Sequence, residues 1–272
     1  MFSLETAPLL LIWPALVVAL VAAHEGGFLA FRFFTRHKAG STDGDDSGIS
    51  YLVSAVFALL GLLIAFTFSM AADRYDARRA LVIAEANAVG TTYLRFQILQ
   101  DPARGELSRQ MLSYIEARED FFSADDAAKV ATADARTNDI QAQIWPELSA
   151  ALRAQPNATT NQSLLETTNE MFDLAASDRA AVDGRVPISI LRVLIGYSLI
   201  AAGFIGYALA AKRSRYFIAS TALFILFALS ISLIIDLDRP RSGSVVVSTL
   251  PFSRAADSIR AMDAARELKP PP

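Results

Sequence analysis

Between Tyr51 and Leu99 the chain has no proline, and after Gly61 the stretch holds one glycine, Gly90, so nothing here compels a helix to stop. Its first part, Leu52 to Ala72, is uncharged and apolar. About 20 residues rising about 1.5 Å each cross the ~30 Å hydrocarbon layer of a bilayer, so this part is long enough to span one. Asp73, Arg74, Asp76, Arg78 and Arg79 follow at once and mark the water interface. The expected element is a single rod of about 70 Å that starts in a membrane and ends well outside it, with the other segments packed around it.

Down one face of that rod, Ser54, Ala58, Gly61, Ala65, Ser69 and Ala72 recur at spacings of three or four. Small side chains let helix backbones approach closely and hydroxyls bond across an interface, so one reading is a helix-packing seam. The other is the wall of a narrow pore built by copies of this helix from several subunits, with Phe57 or Phe68 beside the stripe as an apolar constriction.

Composition narrows the class. Of 272 residues, 53% are hydrophobic and 19% charged, and mean hydropathy is +0.34, as in an integral membrane protein. Without cysteine there is no disulfide, thiolate metal site or thiol nucleophile, and His24 and His37 alone leave little for a histidine metal site. No metal or cofactor is therefore expected. A net charge of -3 and the lack of a basic run with interleaved aromatics provide no nucleic-acid surface. The chain also lacks a phosphate-binding glycine loop, HExxH, GxSxG and any histidine beyond His37, which argues against an enzyme.

Ahead of the rod, Pro8 to Phe34 is apolar apart from His24, Glu25 and Arg32. Val21-Ala22-Ala23 resembles a signal cleavage site, but Met1 to Ala7 carries no Lys or Arg, so the segment reads as a retained first span. A polar loop over 39–50 leads into the rod. After Pro102, three runs keep helical spacing: Leu107, Met111, Ile115 and Phe122; Ile140, Ile144, Leu148 and Leu152; Leu164, Thr168, Met171 and Ala175. Asp125-Asp126, Trp145-Pro146 and Gln155-Pro156-Asn157 punctuate them, and Ser163 with Glu166 has capping-box spacing. Residues 72–186 hold 12 Lys/Arg against 18 Asp/Glu, so the expected insert is an acidic antiparallel helical bundle. Two further spans follow Pro187, Ile188 to Ala211 and Tyr216 to Ile235, with Gly196, Gly203 and Gly206 as close-packing points. A β-like run, Val245 to Val247, and an amphipathic helix from Phe252 to about Glu267 complete the pattern.

The expected fold is an all-α integral membrane protein with four transmembrane helices and a helical-bundle insert between the second and third. The second span continues as a long helix into the bundle. The domains expected are 1–72 (spans near 8–34 and 51–72), 73–186 (the bundle), 187–236 (spans near 188–211 and 216–235) and 237–272 (a tail with a short helix). Four spans place both termini and the bundle on one side. The short loops opposite carry Arg32, Arg36, Lys38, Lys212, Arg213 and Arg215, so the positive-inside rule puts those loops in the cytoplasm and the bundle outside a bacterial inner membrane. Arg74, Arg78, Arg79, Arg192, Arg239 and Arg241 form a counter-signal at the opposite interface.

Two charged clusters are candidates for chemistry. Glu25, beside His24, lies about ten residues inside the end of the first span, where an isolated carboxylate costs ~2.5 to 3.5 kcal/mol to insert, and Arg32 lies seven residues on along the same face. An ion or proton relay and a carboxylate satisfied by a neighbouring helix are both open readings. Asp73, Arg74, Asp76, Arg78 and Arg79 with Arg192, Asp236, Asp238 and Arg239 form either a charged ring at a pore mouth or an interfacial salt-bridge belt.

Three stretches taken together resemble the bacterial bestrophin-like domain family of four-span membrane proteins. They are Leu60-Gly61-Leu62-Leu63-Ile64-Ala65-Phe66-Thr67-Phe68-Ser69-Met70 with Asp73-Arg74-Tyr75-Asp76-Ala77-Arg78-Arg79; Glu85-Ala86-Asn87-Ala88-Val89-Gly90-Thr91-Thr92-Tyr93-Leu94-Arg95; and Asp236-Leu237-Asp238-Arg239-Pro240 with Gly243 and Ser248. The resemblance covers essentially the whole chain. It implies the order of the bestrophins, pentameric anion channels whose second span lines the pore: two spans, a large helical insert, two spans. Two features depart from that pattern. No acidic run resembles the bestrophin calcium clasp, and the loop charges favour an external insert where bestrophins keep theirs cytoplasmic.

The leading expectation is a homo-oligomeric ion channel or pore. Ser54, Ala58, Gly61, Ala65, Phe68, Ser69 and Ala72 would line the path, and Glu25, Asp73, Arg74, Asp76, Arg192, Asp236, Asp238 and Arg239 would form a charged relay or mouth. The alternative is a membrane-anchored interaction or sensing protein whose bundle binds a partner without transport. The expected partners are the lipid bilayer, further copies of the chain and small ions.

Overall fold

The computed structural model describes residues 8–35, 46–155, 159–212, 215–241 and 243–267. Of the loop expected over 39–50, residues 39–45 lie outside these residues, as do the charges at Arg36, Lys38 and Arg213 and the Pro156-Asn157 step, while 46–50 are helical and form the first turn of the second helix. Among the described residues all regular structure is helical: α1 (Leu9–Thr35), α2 (Asp46–Phe96), α3 (Ala103–Ser123), α4 (Ala127–Ala154), α5 (Asn161–Asp183), α6 (Ile188–Ala211), α7 (Phe217–Asp238) and α8 (Leu250–Glu267). The rod read from the sequence is α2, 51 residues without a break, or about 77 Å at ~1.5 Å per residue. It ends in a tight turn in which the N–H groups of Ile98 and Leu99 bond back to Arg95 and Phe96. The helices α1, α2, α6 and α7 are long and apolar enough to cross a membrane.

Several local expectations are corrected. The Trp145-Pro146 step does not divide a helix; α4 runs through Pro146, which is exposed, as is Ala142 one turn earlier, so water can satisfy the carbonyl that the proline leaves unbonded. The Ser163/Glu166 capping box does not form, because α5 begins at Asn161 and both residues are inside it. Ser163 Oγ donates to the Thr160 carbonyl at 2.8 Å, and Glu166 Oε1 accepts from Gln162 Nε2 at 2.7 Å. Val245 to Val247 forms no strand and has no regular structure. Gly196, expected at a close contact, has nothing within 4 Å of where a Cβ would stand.

The chain divides into two compact units, with the boundary inside α2 at Asp73. One unit holds α1, the first part of α2, α6 and α7. Its closest backbone approaches are made by glycines: a Cβ on Gly27 would overlap the Gly203 backbone, and one on Gly206 would overlap the His24 carbonyl. Small residues of this kind let apolar helices gain dispersion contact where hydrophobic exclusion from water contributes nothing. On α2, Leu60, Thr67 and Ala71 are buried, and Phe57 stacks on Phe227 of α7 at 5.6 Å.

The other unit holds the second part of α2, α3, α4, α5 and α8. Its core uses one stripe from each helix: Val82, Val89 and Phe96; Leu107, Met111 and Ile115; Ile140, Ile144 and Leu148; Leu164 and Met171; Phe252 and Ile259. Each is buried at helical period, and burial of such a side chain contributes ~1.5 to 3 kcal/mol. At the end of α3 the fully buried ring is Phe121, while Phe122, expected in the core, is half-buried against it.

Candidate functional site

The small-residue stripe of α2 is not used for packing within the chain. Ser54, Ala58, Gly61, Ala65 and Ser69 are exposed and Ala72 is half-buried, while the opposite side of the same helix carries buried Leu60, Thr67 and Ala71. Phe68 is 40% exposed beside the stripe, and Phe57 is half-buried.

In the same unit, Glu25 is 34% exposed, with Oε1 at 3.5 Å from His24 Nδ1 and Oε2 at 3.6 Å from Arg215 Nη2. The partner of Glu25 is thus Arg215, which the chain brings back from just ahead of α7, and not Arg32, which is exposed. Arg215 also lies over the Phe28 ring at 4.6 Å, and His24 meets Phe224 edge-on at 5.6 Å.

The Asp236-Leu237-Asp238-Arg239 sequence closes α7, where carboxylates face the unfavourable negative end of the helix dipole. Backbone donors compensate. Asp238 Oδ1 accepts the Val186 N–H at 2.7 Å, and Asp236 accepts the Ser244 N–H at 2.9 and 3.2 Å. Gly243 sits at φ +136°, and a Cβ there would run into the Asp236 carboxylate, so this turn requires glycine. Asp236, Asp238 and Arg239 are buried, whereas Arg192 and Asp73 are exposed. Asp76 and Arg74 belong to the other unit; Asp76 is exposed there, and Arg74 is half-buried, its Nη1 3.4 Å from where a Cβ on Gly184 would stand.

The helical bundle contains a charged cluster that sequence reasoning missed. Arg118 of α3 forms a bidentate pair with Glu85 of α2, Nε to Oε1 at 2.7 Å and Nη2 to Oε2 at 2.8 Å, and Tyr114 donates to the same Oε1 at 2.6 Å. Asp178 of α5 lies 3.5 Å from Arg118 Nη2. The three ionisable side chains are at most 1% exposed, and Phe121 and Phe122 flank the guanidinium at 4.7 and 5.1 Å. Burial, followed by hydrogen bonding to Glu85, pushes the Asp178 carboxyl up to about 9, so it holds its proton at neutral pH. Burial opposes the Arg118 charge, but the Glu85 carboxylate more than offsets this and holds its pKa above the ordinary value. Burial drives the Tyr114 hydroxyl well above its usual range. The Arg118–Glu85 ion pair with a protonated Asp178 therefore leaves this cluster without net charge. A signal existed: Arg118 follows Met111 by seven, and Asp178 follows Met171 by seven, so both charges sit on core stripes.

The family model described as Bestrophin-like domain matches residues 17–252. A crystal structure of a bacterial bestrophin homologue from Klebsiella pneumoniae is 12% identical, with a TM-score of 0.66 over 94% of this chain and 98% of that one. The same homologue carrying one mutation reaches 0.71 at 12% identity, covering 92% and 98%. A structure described as a membrane protein is 14% identical, with a TM-score of 0.66 over 93% and 96%. These likenesses are of fold. Comparison with curated proteins returned no match.

Proposed function

We propose that this chain, which belongs to the bestrophin-like domain family, is one subunit of a homo-oligomeric ion-conducting pore in a bacterial inner membrane. The carrying observation is that α2 is buried on its Leu60, Thr67 and Ala71 side and bare along Ser54, Ala58, Gly61, Ala65 and Ser69. A helix clad by its own chain on one side and presenting small side chains on the other suits close approach of several copies around an axis. On this reading Ala72 continues the lining, Phe68 supplies an apolar constriction that gates by dewetting, and Asp73, Arg74, Asp76, Arg192, Asp236, Asp238 and Arg239 surround the mouth. Glu25, held between His24 and Arg215, acts as a charged relay in the first span. The spans near 8–34, 51–72, 188–211 and 216–235 cross the bilayer, and residues 73–186 stand on the external side.

Native mass spectrometry in mild detergent, followed by ion flux from liposomes, tests this. The expected result is a closed ring of four or more subunits that conducts, with conductance reduced by Ala65→Leu. A monomer or dimer, or a ring impermeable to common ions across pH and voltage, would overturn it.

A further inference from the structure

Along the bundle part of α2, a groove of about 810 Å³ opens between α2 and α8. That is within the ~300 to 1,000 Å³ typical of small-molecule sites. Its floor is Ala86 and Ile259, and its walls include Ile83, Leu94, Leu250 and Met262, all four exposed. Its lining holds two arginines, Arg79 and Arg254, and no Asp or Glu. Neither guanidinium has an ion-pair partner among the described residues. This is unusual on a bundle in which residues 72–186 carry 12 basic against 18 acidic side chains.

The two cations share one end of the groove. The Tyr93 hydroxyl donates to Asp263 Oδ1 at 2.5 Å, and Phe252 stacks at 5.8 Å on Phe122, one turn beyond the Arg118 that pairs with Glu85, so α8 runs in the same direction as α2. Nine residues back along each helix, about 14 Å, Arg254 falls level with Ala84, five residues or about 7.5 Å along α2 from Arg79. Leu94 and Met262 lie at the other end, about 22 Å from Arg79 along the helix. The groove is thus basic at one end, apolar at the other, and edged by Asn87, Thr91, Ser248 and Ser258.

We infer that this groove is a binding site for a water-soluble amphiphilic organic anion, its carboxylate or phosphate head between Arg79 and Arg254 and its apolar body along Ile83, Leu94 and Met262. The arginine fork matches a carboxylate or phosphate, and the exposed apolar walls would otherwise face water. The site does not depend on whether the chain conducts.

The test is photolabelling of the full-length protein in nanodiscs of zwitterionic lipid with a diazirine-bearing decanoate, the labelled peptides being mapped by mass spectrometry. Label is expected on the α2 peptide spanning 83–94 and the α8 peptide spanning 250–262, competed by decanoate and not by decanol. It should fall at least tenfold in Arg79→Gln/Arg254→Gln, and also in Leu94→Trp, an exposed position that fills the groove without disturbing the core. Label confined to the apolar helices α1, α6 and α7, label unchanged by these variants, or a groove shielded by a second copy of the chain would each overturn the proposal.

Discussion

Arg118 and Glu85 face each other as a flat fork, with two parallel bonds of 2.7 and 2.8 Å between helices whose sequence positions are 33 apart. Both are essentially without solvent contact. Removing one partner strands the other charge in the core, which typically costs ~3 to 5 kcal/mol. Arg118→Met should therefore lower the melting temperature of the full-length protein in detergent sharply. Arg118→Lys should recover little, since an ammonium cannot reproduce the bidentate geometry. The triple variant Glu85→Gln/Arg118→Met/Asp178→Asn should be more stable than Arg118→Met alone; a lower melting temperature would refute this account of the cluster.

Asp178 makes stability depend on pH with a definite sign. Its folded pKa, about 9, lies above the ordinary carboxyl value of 3.8, so the folded state holds a proton that the unfolded chain has released. The resulting stabilisation is fully present below about pH 4 and is lost progressively as pH rises toward 9. The slope is at most about one proton, or ~1.4 kcal/mol per pH unit. Asp178→Asn, an isostere of the protonated acid, should flatten the fall in melting temperature between pH 5 and 9. An unchanged slope in that variant would show that Asp178 does not carry the proton.

Gly243 occupies left-handed space against Asp236. Gly243→Ala should cost ~1 to 3 kcal/mol through backbone strain and the displaced carboxylate. Asp236→Asn, which keeps an acceptor for the Ser244 N–H, should cost less. Thermal melts of the two variants side by side check the order.

The α1–α6 contact gives a contrast between glycines on one helix. Gly206→Val would force its side chain into the His24 carbonyl, whereas Gly196 has open space around it. The yield of monodisperse protein after size exclusion should collapse for Gly206→Val and hold for Gly196→Val. Equal yields would mean that the two helices do not approach as closely as their glycines allow.

Much of the architecture was legible because it is local. Ile140, Ile144, Leu148 and Leu152 repeat at helical period and are all buried, and the absence of proline from Tyr51 to Leu99 does correspond to one continuous helix. The failures are also local, and instructive. Pro146 lies inside α4 because its exposed side can be solvated, and Ser163 lies inside α5 because that helix starts three residues earlier than its capping motif suggests.

The candidate site was less legible. The stripe from Ser54 to Ala72 could be read from spacing, but whether the chain's own helices cover it could not. Glu25 was a visible anomaly, yet its neighbour is Arg215, distant in sequence, and not Arg32 on its own helix.

By itself the sequence determined the four apolar helices, the core stripes and the family, because hydropathy and period are properties of neighbours along the chain. Only the tertiary structure decided that Arg118 meets Glu85 and Asp178, that Asp238 holds Val186, that Gly27 lies against Gly203, and that the small-residue face of α2 is left bare. Each depends on which helix packs beside which and at what register, and a charged or small residue on a stripe looks the same in sequence whether it meets a partner, a backbone or nothing.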